Sequence, residues 1–171
     1  MSGHGVATQT VECIDFYGGR ITLPISRLQF RPAVYAITHR SRGDAREVLL
    51  VRIRKNGKWN LPGGGIDLGE TMLGALEREL KEETGGLPAV IGRYLGIKEC
   101  FLYFNPGDEA NHTLAHYFEC RIAGDVDPDP SAGDADEGEP AWVSIDSLRS
   151  EDCHGIVHQV LEEYRSSGGL R

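Results

Sequence analysis

An α/β fold, a central sheet covered by helices, is what this chain of 171 residues predicts. Short, β-branched apolar runs recur along it, and two other segments return apolar residues every three or four positions, the periods of strands and of amphipathic helices. The length suits one ordinary domain, which buries roughly 70% of the surface its unfolded chain exposes. No metal or disulfide is therefore needed for folding. Residues 1–10, small and polar, read as a flexible N-terminus, and residues 11–171 as a single domain.

Taken in order, Val11 to Tyr17 and Arg20 to Leu23 flank Gly18-Gly19 and predict a β-hairpin. This hairpin has two options, adding strands to its own sheet or exchanging with a second subunit in a homodimer. Further strands are predicted over Ala33 to Thr38, Val48 to Arg54, Val90 to Tyr103 with a break near Gly96, and Thr113 to Ile122. Lys55 to Lys58 reads as a turn, and Trp59 to Leu61 leads into Pro62-Gly63-Gly64-Gly65. A helix is predicted from Thr71 to Thr84, with Thr71 as N-cap and Gly85 as a left-handed C-cap. Leu73, Leu76 and Leu80 fall on its buried face, whereas Glu79, Glu82 and Glu83 share another. The run Asp125 to Glu139 holds seven acids, two prolines and no aromatic residue, a composition that reads as a solvated loop. Ala141 to Ser144 then predicts a strand, Ile145 to Ser150 a short helix, and Ile156 to Tyr164 a terminal amphipathic helix.

The chemistry concentrates where the glycine loop meets the first helix. Gly64 is followed by five residues and Glu70, then by seven residues and Arg78-Glu79-Leu80-Lys81-Glu82-Glu83-Thr84-Gly85. Two Gly, four Glu, one Arg and one Leu in that register arise by chance on the order of once in 10⁹ positions, so coincidence is a poor explanation. Glu79, Glu82 and Glu83 lie three and four apart and converge on one small volume, with Glu70 approaching from the helix start. Such crowding raises carboxylate pKa values unless cations neutralise it, and hard oxygen donors suit Mg²⁺, or Mn²⁺, which usually takes one or two carboxylates plus phosphate oxygens.

This spacing resembles the Nudix box, the signature of hydrolases that cleave nucleoside diphosphates linked to another moiety. Every glycine and charged position of the box is filled, and the resemblance covers roughly Pro32 to Leu148. One position departs: Gly86 stands where the box closes with an aliphatic residue, Leu87 following one step later, which predicts a looser helix end. The resemblance implies a Nudix-type α/β/α sandwich with a central mixed sheet. It also implies Glu82, Glu83 and the Gly64 carbonyl as metal ligands, Glu79 as a ligand or as the base that deprotonates water, and Arg78 as the group that orients Glu79. Glu70 is then structural or a peripheral ligand. The implied reaction is a metal-dependent attack of water on a phosphoanhydride.

Outside the box, Arg52 and Arg54 share strand parity and are candidates for holding phosphates, the alternative being ordinary surface arginines. His112, His116 and Cys120 also share parity, but intervals of four spread strand residues about 13 Å apart, too far for one ion. Trp59, Phe101, Tyr103, Phe104 and Trp142 are core candidates, one or two of which would stack on a nucleobase. Tyr103, seventeen residues after Gly86, lies near where some diadenosine polyphosphate hydrolases carry a tyrosine, whereas no proline marks the place expected for ADP-ribose enzymes. Nucleoside triphosphates, including damaged ones, head the substrate classes; dinucleoside polyphosphates, ADP-ribose and nucleotide sugars follow. The alternative class is a nucleotide sensor without turnover. Within the acidic run, Asp136, Glu137 and Glu139 are candidates for an additional base.

The net charge of −8 argues against broad nucleic-acid or anionic-membrane binding, so a polyanionic substrate must meet local cations or metal. Cys13, Cys100, Cys120 and Cys153 form no CxxC pair, and no signal-peptide pattern accompanies them, which predicts reduced thiols and a cytoplasmic setting.

Overall fold

A computed structural model describes residues 9–124, 126 and 138–169. Among these, nine strands and two α-helices follow one another: β1 (Thr10–Asp15), β2 (Arg20–Pro24), β3 (Leu28–Arg42), β4 (Ala45–Arg52), β5 (Trp59–Asn60), β6 (Gly63–Gly65), α1 (Met72–Glu83), β7 (Ala89–Phe104), β8 (Glu109–Ile122), β9 (Glu139–Ser144) and α2 (Val157–Ser166). The strands form one mixed sheet in the order β2-β1-β7-β8-β3-β4-β5, with β6 paired to β3 and β9 to β4. Its long axis is the parallel pairing of β3 with β8, in register from Leu28↔Ala110 to Thr38↔Cys120.

Period-two alternation along β3 and β8 builds a core on each face. Val34, Ala36, Phe118 and Cys120 meet Ala75, Leu76 and Leu80 of α1 on one side. On the other, Ile37, Ala115 and Tyr117 join Val48 and Leu50 against Val157, Val160, Leu161 and Tyr164 of α2. The α/β/α sandwich is thus a direct product of strand parity. Helix α1 buries a narrower face than its spacing predicts: Leu73 is exposed, because the buried stripe runs through Ala75, Leu76 and Leu80 and leaves the first turn on the flank.

The hairpin adds to its own sheet, β1 pairing with β7 in parallel through Ile14↔Leu102 and Asp15↔Tyr103. Asp15 closes its loop by accepting at Oδ1 from the Tyr17 and Gly19 amides, at 2.9 and 2.8 Å. Strand β7 runs through Gly96 without ending, absorbing the irregularity as register shifts between Ile91 and Gly96. The short helix expected over Ile145 to Ser150 resolves into two 3₁₀ turns, Ile145–Ser147 and Ser150–Asp152, because Leu148 is extended between them. Most of the acidic run, including Asp136 and Glu137, lies outside the described residues, and Glu139 opens β9. All four cysteines are free and buried. Among the described residues no helix is long and apolar enough to cross a membrane.

Candidate active site

The glycine loop is held to the sheet by backbone contact that admits no side chain. Strand β6 pairs with β3 through Tyr35↔Gly63, Val34↔Gly64 and Ala33↔Gly65. Gly63 has φ of 133°, and a Cβ there would stand 2.2 Å from the Val34 carbonyl oxygen. At Gly64 a Cβ would lie 2.4 Å from Glu79 Oε1, so the missing side chain is what lets the Glu79 carboxylate reach the loop. The Gly63 amide donates to Glu83 Oε2 at 2.7 Å, tying the last turn of α1 to the same loop.

Helix α1 enters and leaves through defined caps. Thr71, extended at ψ of 154°, accepts from the Gly74 amide at 3.0 Å. At the far end Thr84 bonds the Leu80 carbonyl through its amide and Oγ1, and the Gly86 amide reaches the Lys81 carbonyl at 2.8 Å. Gly85 and Gly86 both take positive φ, 69° and 81°. The helix end is closed rather than loose, since the left-handed Gly85 turns the Gly86 amide back onto the Lys81 carbonyl.

Arg78 organises the carboxylates. Its Nε and Nη2 donate to the two oxygens of Glu70 at 2.9 and 3.0 Å, Nη1 donates to Glu79 Oε1 at 2.9 Å and to Glu82 Oε2 at 3.2 Å, and Nη2 reaches the Gly65 carbonyl at 3.3 Å. A planar fork of five donors is the side chain able to do this. The Arg78 hydrogen bond holds the Glu70 carboxyl below its ordinary pKa, and Glu70 in turn raises that of the guanidinium. Glu70 thereby acts on Arg78, and Arg78 on Glu79 and Glu82.

The donor set fits a hard divalent cation. Among the described residues no three acidic, histidine or cysteine side chains already form a closed cage. What stands ready is an open, all-oxygen set, with Glu79 pressed against Gly64, Glu83 on the adjoining amide and Glu82 partly exposed one turn away. Mg²⁺ keeps several waters and takes few protein ligands, which suits an open set better than a closed one.

A cleft of about 600 Å³ opens beside this junction and includes Gly63, Gly64 and Glu83 in its lining. Neither Arg52 nor Arg54 lines it. Strand β4 stops at Arg52, whose Nε turns back to the Gly57 carbonyl at 3.3 Å and whose guanidinium lies over the Trp59 ring, and Arg54 sits in the following turn. The parity argument for the pair fails because the strand ends at Arg52, two residues before the predicted end at Arg54. The cation in the cleft is Arg31, whose guanidinium flanks Gly65 with Nη2 3.1 Å from where a Cβ would stand. Its signal in the sequence is its place just before the apolar run of the strand that the glycine loop pairs with. His112, His116 and Cys120 are not brought together: His112 meets Glu99, His116 meets Tyr94, and Cys120 is buried under α1. Trp142 packs beneath Arg40, Phe101 against His112, and Tyr103 and Phe104 line the cleft.

A NUDIX domain model matches residues 29–162. This chain belongs to the Nudix hydrolase family. It is 33% identical over 129 residues to the putative mutator protein MutT4 of Mycobacterium tuberculosis, a match covering 70% of this chain and 50% of that protein. It is 31% identical over 128 residues to an RNA pyrophosphohydrolase of Bartonella clarridgeiae, covering 64% of this chain and 71% of the relative. This chain therefore spans about half the length of the mycobacterial relative. A solved NUDIX hydrolase from Nitrosomonas europaea superposes with a TM-score of 0.62 at 27% identity, over 84% of this chain and 92% of that one.

Proposed function

We propose that this chain is a Mg²⁺- or Mn²⁺-dependent pyrophosphohydrolase that cleaves a phosphoanhydride bond of a nucleoside triphosphate, intact or damaged, with water as nucleophile. The products are a nucleoside monophosphate and pyrophosphate. The observation that carries this reading is the packing of the Glu79 carboxylate on the Cα of Gly64, beside a cleft holding Arg31. Glu82, Glu83 and the Gly64 carbonyl are the ligands, and Glu79 is a ligand or the base that takes the proton from water. Arg78 positions Glu79 and Glu82, and Arg31 takes a substrate phosphate. The bound ion supplies charge screening on the phosphate oxygens and acidifies water.

Likeness to RNA pyrophosphohydrolases supports a second reading, in which the triphosphate is the 5′ end of an RNA. Both are tested by following phosphate, pyrophosphate and monophosphate release with Mg²⁺ and Mn²⁺. The panel comprises nucleoside triphosphates, oxidised ones, 5′-triphosphorylated oligonucleotides, dinucleoside polyphosphates, ADP-ribose and nucleotide sugars, with Glu82→Gln as control. Metal-dependent turnover abolished in the control is the expected result. Tight nucleotide binding with no turnover of any compound would replace the enzyme by a nucleotide sensor.

A further inference from the structure

Behind the cleft, the face of β8 turned toward α2 carries a hydroxyl that the fold leaves unused. Thr113 is 2% exposed, and its Oγ1 is sealed from solvent with no hydrogen-bond partner among the described residues. Alternation along the strand sets Thr113 on the face of Ala115 and Tyr117, with Cys100 of β7 as its register partner. His154, in the segment that leads into α2, has the same feature, since its Nδ1 is also sealed and unpartnered. A polar atom taken out of water without a partner costs stability, and native folds keep few of them. Two that border one space call for a shared explanation.

Thr113 and His154 line a single cavity of about 20 Å³ together with Cys100, Leu61 and Val157. A water needs about 10–15 Å³ of such room, so the cavity takes one. Water also offers both a donor and an acceptor, and one molecule can therefore serve a hydroxyl and a ring nitrogen at once. The cavity is the back of the cleft: Tyr35, Asn60, Leu102 and His154 line both, which makes His154 part of the wall between them. The His154 backbone is pinned by its amide bond to the Trp59 carbonyl at 2.8 Å, and its ring meets that of Phe16 at an angle of 62°, centroids 5.6 Å apart. Nε2 has no partner among the described residues and is not one of their sealed atoms, so it is open, and the cleft is the open space that His154 borders. Burial pushes the imidazole pKa down to about 4, which leaves one ring nitrogen donating and the other accepting. What Nε2 presents to the cleft is then fixed by the bond made at Nδ1.

We infer that Thr113 and His154 hold one buried water between them, and that this water sets the His154 imidazole as a ligand-facing hydrogen-bonding group in the cleft wall. Thr113 is then a positioning residue, acting through the water and the ring and touching no ligand itself. The ligand-facing role rests on the reading of the chain as a nucleotide hydrolase, whereas the water site stands on the cavity and its two polar atoms alone.

Crystals of the full chain, diffracting well enough to show ordered solvent, should hold one water within hydrogen-bond distance of Thr113 Oγ1 and His154 Nδ1. Thr113→Val keeps the side chain's shape and removes its hydroxyl. If Oγ1 bonds the water, this variant melts earlier, because a bond is lost; a hydroxyl that bonded nothing would make the valine variant the more stable. Nitrogen-15 spectra of histidine-labelled protein should show His154 as one neutral tautomer, mixed in Thr113→Val and single again in Thr113→Ser, which restores a hydroxyl. Titrated with Mg²⁺ and α,β-methylene-ATP, Thr113→Val should bind about two- to tenfold more weakly and Thr113→Ser as the unsubstituted chain does. A dry cavity in the unsubstituted chain, a more stable Thr113→Val, an unmoved His154 signal or an unmoved affinity would each overturn the inference. The first of these needs no variant to fold. An unsubstituted chain that holds the water and a single tautomer, yet neither binds nor turns over any nucleotide, would remove the hydrolase reading and leave the water site standing.

Discussion

At Arg78 one guanidinium serves four oxygen acceptors on three carboxylates, and the consequence is specific to arginine. Lysine in its place keeps the charge but cannot span both oxygens of Glu70 while holding Glu79. Arg78→Lys should therefore lower kcat by about ten- to a hundredfold, the usual cost of removing a group that orients metal ligands, with little change in melting temperature. Steady-state kinetics beside a thermal melt check this, and a variant that melts early would point instead to a structural role. Gly64→Ala acts at the same place from the other side. Its Cβ would stand 2.4 Å from Glu79 Oε1, so the carboxylate must move by a sizeable fraction of an ångström or more. A fall in turnover on the order of 10²-fold is expected, because reacting groups tolerate little misplacement. Normal kinetics in a folded Gly64→Ala would remove Glu79 from the reaction.

Elements place these residues, and α1 does most of the placing. Its buried stripe is short, with Leu76 and Leu80 essentially sealed from solvent against Val34, Ala36 and Phe118. Leu76→Ala should destabilise the protein by about 2–5 kcal/mol, measured by denaturant unfolding, because the rigid sheet beneath cannot collapse into the space. The four glutamates were legible in the sequence because helical spacing of three and four residues is a local property. Leu73 was misread for the same reason in reverse: spacing places a residue on a stripe but does not say where the sheet beneath it ends. The Arg52–Arg54 pair failed similarly, since an apolar run does not show at which residue a strand loses its partners.

Taken whole, the molecule ties the approach to α2 onto the edge of its sheet near His154. The His154 amide donates to the Trp59 carbonyl at 2.8 Å, and Trp59 bridges Cys153, which joins the approach to α2 to the glycine-loop side of the sheet. Burial drives the imidazole from its ordinary pKa of 6.5 down to about 4. The folded form thus binds this proton less readily than the unfolded form. The corresponding stability is fully present above pH 6.5 and is lost as pH falls through the window from 6.5 to 4. Its size is about 3 kcal/mol, taking roughly 1.4 kcal/mol per unit. Unfolding free energies measured across that window should fall with acid in the unsubstituted chain and much less in His154→Gln. Equal slopes would show that the ring is not held neutral. Arginine-bonded carboxylates such as Glu70 contribute in the same direction but at lower pH, since their folded pKa values lie below the carboxylate range.

By itself the sequence determined the fold class, the loop-to-helix junction and the carboxylate face of α1, down to the Thr71 cap and the left-handed Gly85. Each is set by neighbours within a few positions, where hydrogen-bond spacing and side-chain period act directly. Only the tertiary structure decided which cation enters the cleft and which polar side chains share its lining. Arg31 stands beside the loop because β6 lies antiparallel on β3, and Asn111 stands beside Gln29 because β8 runs parallel to it. Register between strands eighty residues apart depends on how two core faces close over both helices at once, and no local stretch of sequence contains that information.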